Sequence, residues 1–250
     1  QVVDLVAVVE YTHPDALKQL INADWVPQTM QSYLHEEPGG KLVLSQAPFM
    51  FKDSKINYFT ANWPISSFET ERQVFLGENG YGSWAAPGAL QESEFSNRLA
   101  LRGDNIGALM IHLGEIPAGE SRSAIILLGQ DASVESAMPS IQQFRDPQAV
   151  EAAFQDLRSH WEEILSTAQV NTPDPDMDRM LNIHNPRQCN VTMNWSRYLS
   201  LYQLGFGARG MGFRDSSQDV MAALTGSPDD AKKLLVKLMQ VQNRDGSAMH

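Results

Sequence analysis

Short apolar runs separated by turn-forming residues dominate the first 140 residues of the chain. The runs are rich in β-branched and aromatic side chains, and the spacers are rich in proline, glycine and aspartate, which is typical of strands joined by tight turns. Strands are predicted at residues 2–9, 41–44, 49–51, 56–59, 108–113 and 124–128, and one early helix at 15 to about 22. Many short strands with this punctuation indicate an antiparallel β-sandwich.

From about residue 146 the apolar positions recur every three or four residues, which predicts helices. Pro147 begins such a stripe, and its period predicts a helix over 147–166. Asp174 before Pro175 and Ser227 before Pro228 predict two further helix starts, because each pairs a capping residue with proline at the first helical position. We expect the last helix to end at 245–246, and we expect an irregular boundary between the two halves at about 131–146.

Composition restricts the classes of partner. The formal net charge of −11 argues against general binding to nucleic acid or to an anionic membrane surface. No apolar run approaches the ~20 residues that span a bilayer, and no signal peptide is visible. The single cysteine, Cys189, excludes an internal disulfide and suits a reducing compartment, so we expect a cytoplasmic protein with a buried structural thiol here. Because the chain opens with Gln1 inside a predicted strand, we expect an internal segment of a longer polypeptide.

The densest chemistry lies in residues 205–219, GFGARGMGFRDSSQD, which hold four glycines, two arginines and two aspartates. Glycines allow the backbone to approach a ligand closely. The guanidinium groups of Arg209 and Arg214 can bind phosphate or sugar hydroxyls, and the carboxylate of Asp215 can accept from other hydroxyls. Arg197 lies twelve residues before Arg209. Donors for an anion and acceptors for a polyol in one segment indicate a sugar-phosphate site.

Simpler roles compete for the same residues. Asp215 could be the N-cap of a helix that continues through Leu224. Gln218 and Asp219 lie one turn after Arg214 and Asp215, where we expect them to brace that pair. The spacing of the two aspartates also hints at a cation site, but it lacks the ligand number that calcium needs. The histidines show no zinc-type spacing, so no metal is expected, and Trp161 and Trp195 are expected in the core.

Three ordered blocks at residues 182–197, 205–219 and 245–250 together resemble the cellobiose, cellodextrin and cellobionic acid phosphorylases of glycoside hydrolase family 94. Residues 24–29 and 75–77 resemble the sandwich of that family. The resemblance implies the C-terminal part of a β-sandwich at 1–140, a helical linker at 141–172 and the first helices of an α/α barrel at 173–250.

This resemblance implies reversible phosphorolysis of a β-1,4-linked glucoside with inversion. Inorganic phosphate, a substrate and not a cofactor, would attack the anomeric carbon and yield α-glucose 1-phosphate. By the family's pattern Arg197 matches the phosphate contact, and Arg209, Arg214 and Asp215 match residues that hold the donor glucose. The general-acid aspartate would lie beyond His250. Residues 185–187 and 207–209 look most like the cellobionic acid phosphorylases, whose acceptor is gluconate, and the family implies a homodimer.

Two other functions remain open from the residues alone. An α/α-barrel hydrolase would use water and would need a second carboxylate to activate it. A non-catalytic carbohydrate-binding sandwich would instead present aligned exposed aromatic rings, such as Tyr58, Trp63 and Trp84.

Overall fold

The computed structural model describes residues 1–11, 29–48, 55–77, 83–103, 105–196 and 212–248. The chain divides into two units, Gln1–Glu151 and Ala152–His250. The helix predicted at 15–22 and the strand predicted at 49–51 lie outside the described residues.

Within the described residues, the first unit contains two antiparallel sheets, which confirms the sandwich prediction. One sheet has the strand order β1-β6-β5 and the other has the order β2-β3-β4-β7. The strands are β1 (Val2–Glu10), β2 (Met30–Glu36), β3 (Leu42–Pro48), β4 (Ile56–Ala61), β5 (Ser67–Glu71), β6 (Asn105–Glu115) and β7 (Ile126–Asp131).

The main core lies between these two sheets. Leu44 and Phe59 enter it from the four-stranded sheet, and Leu109 and Ile111 enter it from β6 of the other sheet. The opposite face of β6 is also covered, because a second cluster packs Met110 and its neighbours against the helix α1 (Arg72–Leu76). Both faces of β6 are therefore buried, and this explains its long apolar run.

Two strands were not predicted, and β5 shows why. Its sequence, SFETE, is mostly polar, yet Ser67, Glu69 and Thr70 are buried. Their side chains bond to the irregular segment 95–100: the Ser67 hydroxyl accepts from the backbone N–H of residue 95 at 2.8 Å, and the Thr70 hydroxyl accepts from that of residue 100 at 2.8 Å. The Glu69 carboxylate accepts from the backbone N–H of Thr70 at 2.9 Å and from the Ser96 hydroxyl. Burial of these polar groups is tolerable because each has a partner.

The irregular boundary predicted at 131–146 is wrong, because helix α2 occupies Val134–Phe144. Ser133 and Ser136 form a capping box at its start, and its buried side chains recur at helical spacing and pack on Val43. Pro139 lies inside the helix, and because proline usually interrupts a helix, the sequence did not predict this one. At its end, the buried Arg145 guanidinium forms an ion pair with Glu37 at 2.8 Å and donates to the Thr60 hydroxyl at 2.6 Å.

An imidazole on the surface of the first unit links two strands and a loop. His112 of β6 contacts Asp4 of β1 through Nδ1 at 2.7 Å and Glu94 through Nε2 at 2.9 Å. Only a protonated imidazole donates through both nitrogens. These hydrogen bonds, that of Glu94 first, raise the pKa of His112 above its ordinary value of 6.5.

Helix α3 runs over Pro147–Ser166, as predicted. Its apolar stripe is packed only in part: Ile164 is buried, whereas Phe154 and Leu157 are 62% and 53% exposed. No helix among the described residues is both long enough and apolar enough to cross a membrane.

The other described helices of the second unit are α4 (Pro175–Arg179), α5 (Asn185–Val191), α6 (Phe213–Ala223) and α7 (Pro228–Gln240), with wider π turns at Met180–His184 and Thr192–Ser196. Pro186 follows the first π turn and has no N–H to continue regular bonding. Asp174 caps α4 as predicted, accepting from the N–H of Asp176 at 2.9 Å. A buried cluster joins Met193 to α6 and α7.

Ser227 lies at the N-cap of α7 as predicted, but its hydroxyl accepts from the Asn190 amide at 2.8 Å and does not cap the backbone. The end predicted for this helix at 245–246 is wrong, because α7 stops at Gln240. Gly246, with φ of +87°, belongs instead to a turn in which its N–H donates to the carbonyl of Asn243 at 3.0 Å.

Candidate functional site

The start of α6 carries the described part of the predicted sugar-phosphate site. Gly212 is its N-cap, with φ of +62°, a conformation that favours glycine. Arg214 and Asp215 are therefore the second and third residues of the helix. The alternative role of Asp215 as N-cap is wrong, because Gly212 takes that position. A carboxylate in the first turn still lies favourably at the positive end of the helix dipole.

Arg214 and Asp215 form a pair that solvent can reach. The Arg214 guanidinium is 86% exposed and the Asp215 side chain 35% exposed. Nη2 and Nε of Arg214 lie 3.2 and 3.4 Å from the same carboxylate oxygen, Oδ1 of Asp215. Arg214 therefore leaves Oδ2 for another donor, and the pair can donate to one hydroxyl while it accepts from a neighbouring one.

The two residues one turn further along α6 differ in burial. Asp219 is buried, whereas Gln218 is exposed. Asp219 shares a helix face with Asp215, and Gln218 shares one with Arg214, because residues four apart are neighbours on a helix surface. Ser216 is fully buried, so it identifies the buried face of α6. Arg197 and Arg209 lie outside the described residues.

The helical segment before the arginine region is held by asparagine side chains. The Asn182 amide accepts from the N–H of Val170 at 2.9 Å and donates to its carbonyl at 2.8 Å, and the Asn194 amide donates to the carbonyl of Asn190 at 3.2 Å. Asn190 in turn binds Ser227, so two helices and a loop are joined by side-chain amides. The sequence did not single out these asparagines, although all lie in the block that carries the resemblance.

Two tryptophans and the cysteine of this unit were predicted to be buried, and the structure shows how far each is exposed. Trp195 was expected in the core but is 58% exposed. Trp161 is half-buried, and the Arg187 guanidinium lies 5.3 Å from its ring centroid. Cys189 is also only half-buried and lines a cavity of about 210 Å³ with Ile164 and Asn190. Among the described residues, no group of three or more His, Cys, Asp or Glu side chains has an arrangement that could hold a metal ion.

The aromatic rings that a non-catalytic binding sandwich would align are dispersed. Tyr58 packs in the cluster beneath α2, and Trp63 packs against the core between the sheets and donates to the carbonyl of Ser123 at 2.8 Å. Trp84 packs on Phe75 with ring centroids 5.7 Å apart. Among the described residues these rings form no common platform.

Comparison with known proteins gives two adjoining family matches. Residues 1–147 match the model described as "Glycosyl hydrolase 94, supersandwich domain", and residues 160–250 match "Glycosyl hydrolase 94 superfamily, catalytic domain". These matches agree with the order of a β unit followed by helices.

Similar curated proteins include two N,N'-diacetylchitobiose phosphorylases, from Vibrio furnissii at 30% identity and from Vibrio proteolyticus at 28%. A 3-O-beta-D-glucopyranosyl-beta-D-glucuronide phosphorylase from Paenibacillus borealis is 23% identical. Each alignment covers 193 residues, 77% of this chain and 23% of the relative. The chain thus spans about a quarter of the length of these relatives.

Proposed function

We propose, from the premise that this chain belongs to the glycosyl hydrolase 94 family, that the protein is an inverting disaccharide phosphorylase. The observation that carries the proposal is the order of the two family matches, sandwich and then catalytic domain, over nearly the whole chain. The three relatives described above support it, since each is named as a phosphorylase.

Phosphorolysis needs positioning more than it needs a base. Inorganic phosphate is already a nucleophilic anion, so the protein must hold it in line with the anomeric carbon. We assign that role to Arg197, on the resemblance. A carboxylic acid must protonate the leaving oxygen, as in inverting glycosidases, and the resemblance assigns that acid to a residue beyond His250. No catalytic proton transfer is therefore assigned to Asp215 or Asp219.

The donor sugar is assigned to Arg209, Arg214 and Asp215. The exposed Arg214–Asp215 pair at the start of α6 supports this assignment, because it offers a fork of N–H donors beside a carboxylate oxygen that Arg214 does not bind. Adjacent hydroxyls of one pyranose present the matching acceptor and donor. Gln218 and the buried Asp219 are assigned to bracing this pair.

We propose a β-1,4-linked glucoside as the substrate. Residues 185–187 and 207–209 favour cellobionic acid, with gluconate as the acceptor product, and cellobiose and cellodextrins follow. The names of the two Vibrio relatives add N,N'-diacetylchitobiose as a candidate. That sugar carries an acetamido group at C2 in both rings, so the donor pocket decides between it and a plain glucoside.

The test is phosphate dependence in the full-length protein. Each candidate disaccharide is incubated with and without inorganic phosphate, and sugar 1-phosphate is measured by anion-exchange chromatography. The proposal predicts α-configured sugar 1-phosphate from one disaccharide and no cleavage without phosphate. Phosphate-independent release of free sugar would establish a hydrolase instead. We further propose a cytoplasmic homodimer, which light scattering after gel filtration and cell fractionation would check.

A further inference from the structure

A cleft of about 600 Å³ opens at one end of the sandwich, between the turn that joins β2 to β3 and the start of β5. This volume is within the usual range for small-molecule sites. Half-buried and buried apolar side chains, Leu34, Ile65 and Phe68, form part of its wall. The remaining wall is polar.

The charges of the cleft balance. Glu37 is already paired with the buried Arg145 at 2.8 Å. Glu36 and Lys41 then contribute one charge of each sign. A cleft without net charge favours a neutral ligand over phosphate or over a polycation.

Two side chains that line this cleft have their acceptor atoms already used. The Asn97 Oδ1 accepts from the N–H of Phe68 at 2.8 Å, which leaves its amide NH₂ group to donate elsewhere. The Ser66 hydroxyl oxygen accepts from the N–H of His112 at 3.1 Å, which leaves its O–H group to donate. Glu36, another residue of the lining, supplies an exposed acceptor. Mixed donors and acceptors over an apolar wall match the hydroxyls and the C–H face of a sugar.

The backbone at Asn97 supports a role beyond packing. With φ of 55°, Asn97 is the only non-glycine residue of positive φ among the described residues. Asparagine tolerates this conformation better than most residues, and such outliers concentrate at ligand sites. We propose that this cleft binds a neutral saccharide of glucose units, with Asn97 and Ser66 as donors and Glu36 as acceptor.

Asn97→Asp is the sharpest variant. Aspartate keeps an oxygen for the N–H of Phe68 and tolerates positive φ, but it loses the donor group. Asn62→Asp is a matched control, because the Asn62 Oδ1 accepts from the N–H of Ile125 at 2.8 Å in the same way and Asn62 does not line the cleft. Calorimetric titration of the full-length protein with cellotetraose measures binding independently of turnover.

Asn97→Asp should weaken cellotetraose binding at this site about fivefold, the typical effect of one lost hydrogen bond, and Asn62→Asp should leave it unchanged. Asp215→Asn, which alters the proposed donor subsite, should leave the binding of cellotetraose at the cleft unchanged. The inference is overturned if Asn97→Asp binds like the unaltered protein, if both asparagine variants lose binding equally, or if Asp215→Asn removes all binding.

Discussion

Replacing Asp215 with asparagine in the full-length protein isolates the proposed donor contact. Both bonds from Arg214 reach Oδ1 of Asp215, so the substitution can keep that contact while it removes the charge and turns the second oxygen into a donor. A lost charge-assisted hydrogen bond costs about 1.5–3 kcal/mol, which corresponds to a fall of about 10- to 150-fold in kcat/KM. Loss of the exposed ion pair itself adds little.

The assay runs the reaction in both directions, from disaccharide with phosphate and from sugar 1-phosphate with acceptor. Both substrates carry the donor ring, so both values of kcat/KM should fall together, whereas the preference among acceptors should hold. Asp229→Asn is the control, because Asp229 lies in the first turn of α7 as Asp215 lies in that of α6. Each variant loses a similar helix-dipole interaction, about 0.3–1 kcal/mol. A change of acceptor preference with intact donor kinetics would place Asp215 on the other side of the scissile bond.

Three further outcomes are expected. Arg197→Ala should raise the KM for phosphate more than that for the disaccharide, by one charge-assisted contact of about 1.5–3 kcal/mol; unchanged phosphate KM and kcat would reject its assignment. Arg145→Met should lower the free energy of unfolding of the sandwich by about 3 kcal/mol, because it removes the buried partner of the half-buried Glu37 carboxylate; a loss below about 1 kcal/mol in urea denaturation would contradict this. The raised pKa of His112 stabilises the fold fully below pH 6.5, and this stabilisation is lost as pH rises through the folded-state pKa. The unfolding temperature should therefore decline less steeply above pH 6.5 in His112→Gln, and likewise in the double variant Asp4→Asn with Glu94→Gln. If the unfolding temperature of both variants declined with pH as steeply as that of the unaltered protein, the mechanism would be excluded.

Strands with local apolar patterns could be predicted, and strands held by distant polar partners could not. The strands β1, β3, β4, β6 and β7 could be recognised as apolar runs, because their side chains pack into hydrophobic cores. The polar sequence of β5 forms a strand only because residues 95–100, nearly thirty positions later, satisfy Ser67 and Thr70. A window of neighbouring residues contains no trace of these partners.

At the site, the sequence established adjacency but not geometry. Arg214 and Asp215 are consecutive, but neighbouring residues of a helix do not face each other, so their 3.2 Å contact could not be predicted from adjacency. The start of α6 at Gly212 depends on a positive φ, which glycine permits but does not require, so the sequence could not decide between Gly212 and Asp215 as the cap. The exposure of Trp195 depends on the π turn that contains it, which a period of 3.6 residues cannot reveal.

The two π turns at Met180–His184 and Thr192–Ser196 add to the length of this stretch of polypeptide. Each π turn takes up about one residue more than the α-helical path, and one residue corresponds to about 100° of rotation about the axis. Deleting the extra residue at either turn would restore regular α-helical winding and keep later side chains near their present bearing, whereas a deletion in the regular turns between them would rotate every later side chain by about 100°. One-residue deletions are therefore tolerable at the two π turns and damaging elsewhere along 175–196. In an alignment of relatives, a one-residue gap at either turn marks a relative in which the regular α-helical path is kept, and it needs no compensation within the stretch.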